Sequence, residues 1–381
     1  MKSNKKIKVV WFLTPFYPRY GVANIVHGWA ENIDYNKYDI TLACYCIAEK
    51  KELLNNFEKF PIKIVFFPNL ASFKSLYIPQ LKSLDFFFKN NSFDIIHSIF
   101  IQADIIAAIV KNKYKIPVHT SSIMGQLISK SSGSKLVSFF KKISYKFLYN
   151  FFCSNIDSYF PITNTSMNQL RSDLNVNYKR KVTIYSGVPT RFVSHLQNNK
   201  EFLIGAASQL IFEKGLDILI KAFPLIKREI PNAKIVIAGH GDYQQELIKL
   251  VEKLNLNNDV KFLGFERNIP KFMASLNLFV FPARPSYDGL PRVILEAMVQ
   301  KTAVVASNTE EISEIMNFKG VNGTLFKVGD HIDLSKKIIN SYHNQKKISQ
   351  LIENAFGMAK SISVRNNTLK IQEEYKLLLN K

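Results

Sequence analysis

Cysteine is scarce in this 381-residue chain: there are three, Cys44, Cys46 and Cys153. The count is odd, and two of them alternate within one strand-like segment, Ile40–Ile47. That excludes a disulfide framework as the basis of the fold. No Cys/His spacing fits zinc, so the thiols read as small buried hydrophobes. Long apolar runs are also missing. None reaches the roughly 18–20 residues that cross a bilayer. The basic start, Met1–Lys8, leads only into a short strand-like run, Val9–Leu13, bounded by Pro15. We therefore expect no signal peptide, and a cytoplasmic protein that is soluble or peripheral on the inner face of the cell membrane.

Acidic residues are the most informative shortage. Between Asp104 and Asp157 there is not one carboxylate side chain, while eight lysines occur from Lys111 to Lys146. Over the whole chain Lys and Arg number 51 against 30 Asp and Glu, a net charge of +21. The excess is uneven: 25 basic and 11 acidic residues in 1–190, against 26 and 19 in 191–381. Such one-sided charge draws a polyanion or an anionic membrane. A lysine-rich composition explains part of the total but not the acid-free run. No recognised RNA or DNA motif accompanies the charge, so no nucleic-acid partner is expected.

What is present is a rhythm. Strand-like segments Lys8–Leu13, Ile40–Cys46, Ile62–Phe67, Asp94–His97, Ser158–Pro161 and Val182–Tyr185 alternate with helical patterns such as Gly21–Ile33. The second half repeats this more cleanly. Strands Phe202–Ala207, Ala233–Ala238, Val260–Leu263, Leu278–Phe281 and Ala303–Ala306 alternate with helices Gly215–Glu229, Gln244–Leu254, Ile269–Ala274, Pro291–Val299 and Asp333–Asn344. This predicts an α/β protein of two Rossmann-like, doubly wound domains facing across a cleft. The boundaries expected are 1–190 and 200–365, with a polar linker near Thr190–Lys200 and a final helix, about 366–381, packing back onto the first domain. Open parallel sheets bind ligands at the carboxyl ends of their strands, so the chemistry should sit just after strands, in that cleft.

The motifs do follow strands. The stretch from Arg284 to Met298, RPSYDGLPRVILEAM, places a tight loop with Asp288 and Gly289 before a helix near Pro291. A helix start offers unpaired N–H groups and partial positive charge, which suits a diphosphate, and Gly289 allows close backbone approach. Glu296 lies more than one turn into that helix, where a carboxylate can accept two vicinal hydroxyls. Taken alone, this stretch reads equally well as a capped surface loop before a core helix. Between Gly205 and Phe223, a second strand and loop bring Lys214 beside another helix start, a plausible phosphate clamp.

Together these segments resemble glycosyltransferase family 4, a GT-B family of retaining enzymes. Its donor signature is an acid and a glutamate separated by seven residues, here Asp288 and Glu296. The family usually has Glu at the first position, so Asp288 is one carbon shorter. The resemblance implies that Glu296 binds a nucleotide ribose and that the backbone of Gly289 and Leu290 binds the diphosphate. Lys214 matches the lysine of the family's arginine–lysine pair. Gln209 stands where the arginine is expected, and Arg284 and Arg292 are the candidate replacements. Gly241 ends the Gly-rich turn after Val236–Ala238, and Leu263–Gly264 matches the strand end that cradles the base. Gly21 matches a glycine of the first loop. The family's Gly-Gly after the Ala-Ser strand is Glu310-Glu311 here, and its His-Gly is Met124-Gly125. His97 reads as structural, His119 as out of register and His240 as an incidental turn residue, so no histidine is called catalytic.

The resemblance implies transfer of a hexose or N-acetylhexosamine, without a metal or cofactor, from a nucleotide-diphosphate sugar, expected to be a UDP-sugar. Lys214, Asp288 and Glu296 would be the catalytic residues. The acceptor would be a glycan or lipid-linked, in bacterial surface polysaccharide or lipopolysaccharide synthesis. A GT-B sugar-nucleotide epimerase and a catalytically degenerate binder are the alternatives. For the first domain, the stretch Lys135–Phe152 gives, if helical, an apolar stripe of Phe139, Phe140, Ile143, Phe147 and Phe151 beside Lys142 and Lys146. Basic amphipathic helices bind anionic membranes, although a core helix with solvated lysines has the same pattern.

Overall fold

Runs such as Val9–Leu13 and Leu278–Phe281 are apolar at every position and fully buried. That is the signature of strands covered on both faces, as parallel sheets require. The computed structural model describes residues 5–16, 21–46, 55–67, 78–124, 135–193, 200–285 and 289–381. The chain divides into two units: unit 1 comprises 1–186 and 364–381, and unit 2 comprises 187–363.

Unit 1 contains strands β1 (Ile7–Phe16), β2 (Tyr38–Cys46), β3 (Lys63–Phe67), β4 (Ile95–Ile99), β5 (Val118–Ile123) and β6 (Ser158–Pro161). Its helices are α1 (Gly21–Asn32), α2 (Ile78–Asn90), α3 (Ile101–Tyr114), α4 (Lys135–Cys153) and α5 (Asn164–Leu174). The strands pair in parallel in the order β3-β2-β1-β4-β5-β6. Unit 2 contains β7 (Phe202–Ala207), α6 (Leu216–Glu229), β8 (Ala233–Ala238), α7 (Gln244–Lys253), β9 (Val260–Gly264) and α8 (Ile269–Ala274). It continues with β10 (Leu278–Phe281), α9 (Arg292–Val299), β11 (Ala303–Ser307), α10 (Glu310–Met316), β12 (Thr324–Phe326), α11 (His331–His343) and α12 (Gln345–Ser361). Its sheet is also parallel, in the order β12-β11-β10-β7-β8-β9. In both units the order reverses beside the first strand. Each therefore has a switch point, between β1 and β4 and between β7 and β10, where neighbouring connections diverge and leave a crevice.

The last helix, α13 (Val364–Leu379), returns to unit 1. Ile371, Tyr375 and Leu378 enter the apolar cluster around Trp11 and Trp29. The Trp11 indole donates to the Tyr375 hydroxyl at 3.3 Å, and the Tyr38 hydroxyl donates to the Gln372 carbonyl at 3.0 Å. Arg180 forms a bidentate pair with the buried Glu374.

Two sequence expectations shift. Val182–Tyr185 is not a strand: only a single bridge, Tyr159 to Lys181, forms there. The reason is that β6 ends after four residues at Pro161. Val182 N and Ile184 N still donate to Tyr159 and Pro161 carbonyls, but no ladder can extend. The crossing between units falls at Ser186–Gly187, ahead of the polar stretch expected to hold it. Gln300 anchors the start of that stretch in unit 2, accepting from Val193 N and donating to the Arg191 carbonyl, each at 2.8 Å. Cys44 and Cys153 are buried. No helix among the described residues is long and apolar enough to cross a membrane.

Candidate functional site

At the switch point of unit 2, two loops leave the sheet: 208–215 after β7 and 282–291 after β10. Residues 286–288 of the second, Asp288 included, lie outside the described residues. The loops are fastened to each other. Arg284 N donates to the Glu213 carbonyl at 2.8 Å. Gly215 has φ +65°, and a Cβ there would sit 2.0 Å from the Pro282 carbonyl oxygen. Only glycine fits both the backbone angle and the close approach.

Arg284 is part of this fastening. Its Nη1 and Nη2 bond the two Asp217 oxygens at 2.9 Å each, and Nη1 also donates to the Phe212 carbonyl at 2.7 Å. The guanidinium carbon lies 4.0 Å from the Phe212 ring centroid. Burial pushes the Asp217 carboxyl upward, but hydrogen bonds from Arg284 and Lys221 outweigh it and hold its pKa low. Arg284 is thus a strut between loops, and not the replacement expected for the missing arginine at Gln209, because its guanidinium is engaged by Asp217 and the Phe212 carbonyl. Its partner lies 67 residues away, beyond what spacing can reveal.

Lys214 ends the short turn Phe212–Lys214, with its ammonium 5.9 Å from the Phe281 ring centroid at the end of β10. Burial lowers the pKa of this ammonium, with Glu213 acting against the shift. Helix α9 starts directly after Pro291, and no side chain caps it. Its first residue is Arg292 and its fifth is Glu296, one turn apart on one face. Burial raises the Glu296 pKa against the influence of Arg292, and lowers that of Arg292 against Glu296. Gly289 and Pro291 line a small pocket with Phe281, Arg284, Thr309 and Glu311, while Leu290 is buried. Of the two acids at the start of α10, Glu311 lines this pocket and Glu310 faces solvent.

A second stitched rim joins the ends of β7, β8 and β9. Ser208 N, Leu210 N and Gly239 N donate to the carbonyls of Ala238, His240 and Gly264 at 3.1, 2.9 and 2.7 Å. Gly241 lies so close that a Cβ would meet the Leu210 carbonyl oxygen at 2.4 Å. Around this rim Gln209, His240, Leu263 and Phe265 are exposed, and the His240 and Phe265 rings stand 5.8 Å apart. Phe265, 69% exposed, escaped the sequence reading; the signal was an aromatic directly after a turn glycine. Lys214, Gln209, Gly241, Leu263, Gly264, Gly289, Leu290 and Glu296 thus all lie beyond or near the carboxyl end of one sheet, except that Glu296 is set back along α9.

In unit 1, Gly21 is the first residue of α1, the helix that follows β1. Met124 follows β5, and Gly125 lies outside the described residues. His97 is buried between the Tyr375 hydroxyl and the Ser122 hydroxyl, and burial pushes its pKa down to about 3. On α4 the stripe is open: Ile143, Phe147 and Phe151 are 49%, 70% and 68% exposed, while Tyr149 and Cys153 face the core. The side chains of Phe139, Phe140 and Lys142 lie outside the described residues.

Two parallel Rossmann-like units in one chain define the GT-B architecture. The crystal structure of Anabaena HepE in complex with UDP matches with a TM-score of 0.78 at 21% identity, covering 97% of this chain and 100% of that one. Residues 188–358, within unit 2, match the family Glycosyl transferases group 1. An uncharacterized glycosyltransferase of Methanocaldococcus jannaschii is 36% identical over 100 residues, 26% of this chain and 24% of that protein. The N-acetylgalactosamine-N,N'-diacetylbacillosaminyl-diphospho-undecaprenol 4-alpha-N-acetylgalactosaminyltransferase of Campylobacter jejuni is 24% identical over 208 residues, 54% of each chain. The chain thus spans from 24% to 54% of the length of these curated relatives.

Proposed function

We propose that this protein is a retaining glycosyltransferase. It moves a hexose or N-acetylhexosamine from a nucleotide-diphosphate sugar, with UDP-sugar the preferred candidate, to a glycan or lipid-linked acceptor in bacterial surface polysaccharide or lipopolysaccharide synthesis. The observation that carries this reading is the junction of the two loops at the β7/β10 switch point. It sets a half-buried ammonium, Lys214, against the loop that leads into the uncapped start of α9. Such an arrangement suits a diphosphate leaving group.

In this mechanism the Lys214 ammonium and the α9 amides stabilise negative charge as the sugar–phosphate bond breaks. Being fixed by the fold, they need no reorganisation at that moment. Gly289 and Leu290 supply backbone to the diphosphate, Glu296 receives the ribose hydroxyls, and Asp288 contacts the donor sugar. The exposed edge of Leu263, Gly264 and Phe265, with Gly241 and Gln209 nearby, takes the base and its flanking groups. Front-side displacement, with the departing phosphate accepting the acceptor's proton, accounts for retention without a protein nucleophile. The reaction as proposed requires no metal. Unit 1 binds the acceptor, with backbone at Gly21 available to it, and the open face of α4 rests on an anionic membrane.

The test is turnover of a panel of nucleotide sugars by purified protein with lipid-linked acceptors, following the product's anomeric configuration. Transfer with retention, abolished in Lys214→Ala and Glu296→Ala, is expected. Inverted product, or no turnover of any donor, overturns the reading.

A further inference from the structure

We infer that Glu311 is a specificity-determining residue for the donor: with Thr309 it forms a polar notch that takes one hydroxyl of the transferred sugar. This rests on the donor-site reading above. Glu311 is the second residue of α10 and is 8% exposed, whereas Glu310 beside it faces solvent. The resemblance leads to glycine at both positions, so the side chain at 311 is a feature of this chain. The small pocket that Glu311 lines lies at the end of β10, next to its paired strand β11. Gly289 and Pro291 line the same pocket, and α9 starts directly after Pro291. In the donor-site reading that helix start holds the diphosphate. The sugar is bonded to the diphosphate, so a pocket that reaches Pro291 is within reach of the sugar's substituents.

The chemistry of the lining says which substituent. Thr309 Oγ1 accepts from Ile312 N at 3.4 Å, which caps α10 and leaves the hydroxyl's own proton to point elsewhere. A carboxylate only accepts, and it offers about four lone-pair sites, so bonds within the protein leave capacity for a ligand. An acceptor and a hydroxyl donor on one pocket wall match a sugar hydroxyl, which both donates and accepts. The rest of the lining competes little for that hydroxyl. Arg284 is engaged by Asp217 and the Phe212 carbonyl, and Phe281 and Pro291 are apolar. A pocket built to bond a hydroxyl discriminates strongly against a sugar that lacks it.

The experiment measures binding of UDP, UDP-glucose, UDP-galactose and their N-acetylhexosamine counterparts to wild type, E311A, E311Q and E310Q by calorimetry. Singly deoxygenated analogues of the tightest-binding sugar nucleotide follow. E311A is expected to bind that sugar nucleotide about tenfold more weakly, the scale of a lost hydrogen bond to a charged group, while its affinity for UDP stays that of wild type. E311Q should fall between, and E310Q should match wild type. One deoxygenated analogue should bind wild type about tenfold more weakly than its parent, yet bind E311A as well as the parent does, because both changes remove the same bond. Equal losses of UDP and UDP-sugar in E311A overturn the inference in favour of a structural role. So does a deoxygenation penalty that persists in E311A at every position. If wild type and E311A bind the UDP-sugar alike, the inference fails while the donor-site reading stands. If wild type binds neither UDP nor any UDP-sugar, the donor-site reading fails and the inference falls with it.

Discussion

The two units share a strand order and differ in how they use buried ionisable groups. In unit 1 these groups face one another. His97 sits between Tyr375 and Ser122, and Asp104 accepts from Ser98 and Tyr149 at 2.6 and 2.7 Å. The atoms left without partners there, such as His119 Nδ1 and Ser158 Oγ, belong to neutral groups. In unit 2 the half-buried Lys214, Arg292 and Glu296 gather near the carboxyl end of the sheet, and burial shifts each toward its neutral form. The first pattern is closed by hydrogen bonds around His97 and Asp104 and serves stability. The second lies beside the uncapped start of α9, beyond the strand ends where open sheets bind ligands, and buried groups with shifted pKa values gather at such places. The comparison makes a definite claim: removing a charge from unit 2 should change chemistry, and removing one from unit 1 should change stability.

The largest expected effect follows from the first half of that claim. Lys214→Ala should lower the rate of transfer about 100- to 1000-fold, the scale seen when a preorganised electrostatic contact to a developing charge is lost, and Glu296→Ala, which removes the ribose contact, should act mainly by weakening donor binding. Melting temperature should stay within a few degrees of wild type. Steady-state kinetics beside a thermal melt reads both, and a variant that unfolds while keeping its specific activity would break the comparison. Next comes Gly215→Ala. Its Cβ would stand 2.0 Å from the Pro282 carbonyl, at φ +65°, so the two loops must part. A loss of about 2–4 kcal/mol in denaturant unfolding is expected, with nucleotide binding weakened at the same time.

Much of this was legible in the chain itself, and the reasons it was not complete are physical. Strands buried on both faces announce themselves as unbroken apolar runs, so most strands fall where composition puts them. Motifs are expected after strands because open sheets bind ligands there, and Lys214 and the start of α9 do follow β7 and β10. What spacing cannot reveal is pairing at a distance. Arg284 looks like a free cation until Asp217 folds against it. Ile184 looks like a strand residue until β6 ends beside it at Pro161. Tyr375 reads as one aromatic on a late helix, yet its hydroxyl meets His97 and Trp11 in the middle of the first sheet.

The second half of the claim is tested by pH. Burial pushes the Asp104 carboxyl up to about 6 from 3.8, against hydrogen bonds from Ser98 and Tyr149 that favour the ion. Because the folded value lies above the unfolded one, the associated stability is fully present below about pH 4. It is lost as pH rises through about 6. In Asp104→Asn that dependence is absent. The stability of wild type relative to the variant should therefore fall by about 3 kcal/mol between pH 4 and pH 7. Chemical denaturation of both proteins across that range measures it. A constant difference would show that Asp104 is not buried as described, and would blur the contrast between the units.

The smallest effect on stability sharpens the comparison in another way, since unit 1 has an open surface as well as a closed core. Phe147 and Phe151 stack on each other, ring centroids 6.3 Å apart, and are exposed on α4 while Tyr149 on the same helix is buried. Side chains so exposed contribute little to folding, so the double substitution Phe147→Ser, Phe151→Ser should alter stability by no more than about 0.5 kcal/mol. On a membrane the same rings would be buried between headgroups, and the acid-free lysine run from Lys111 to Lys146 would add attraction to anionic lipid. Wild type should therefore sediment with phosphatidylglycerol vesicles, less so as salt rises, and the double variant should stay in solution. Transfer to a short soluble acceptor should be unaffected in the variant, because no residue of the unit 2 site has been touched. Equal vesicle binding by both proteins would remove α4 as the contact, and a large loss of stability would mean that the stripe belongs to the core.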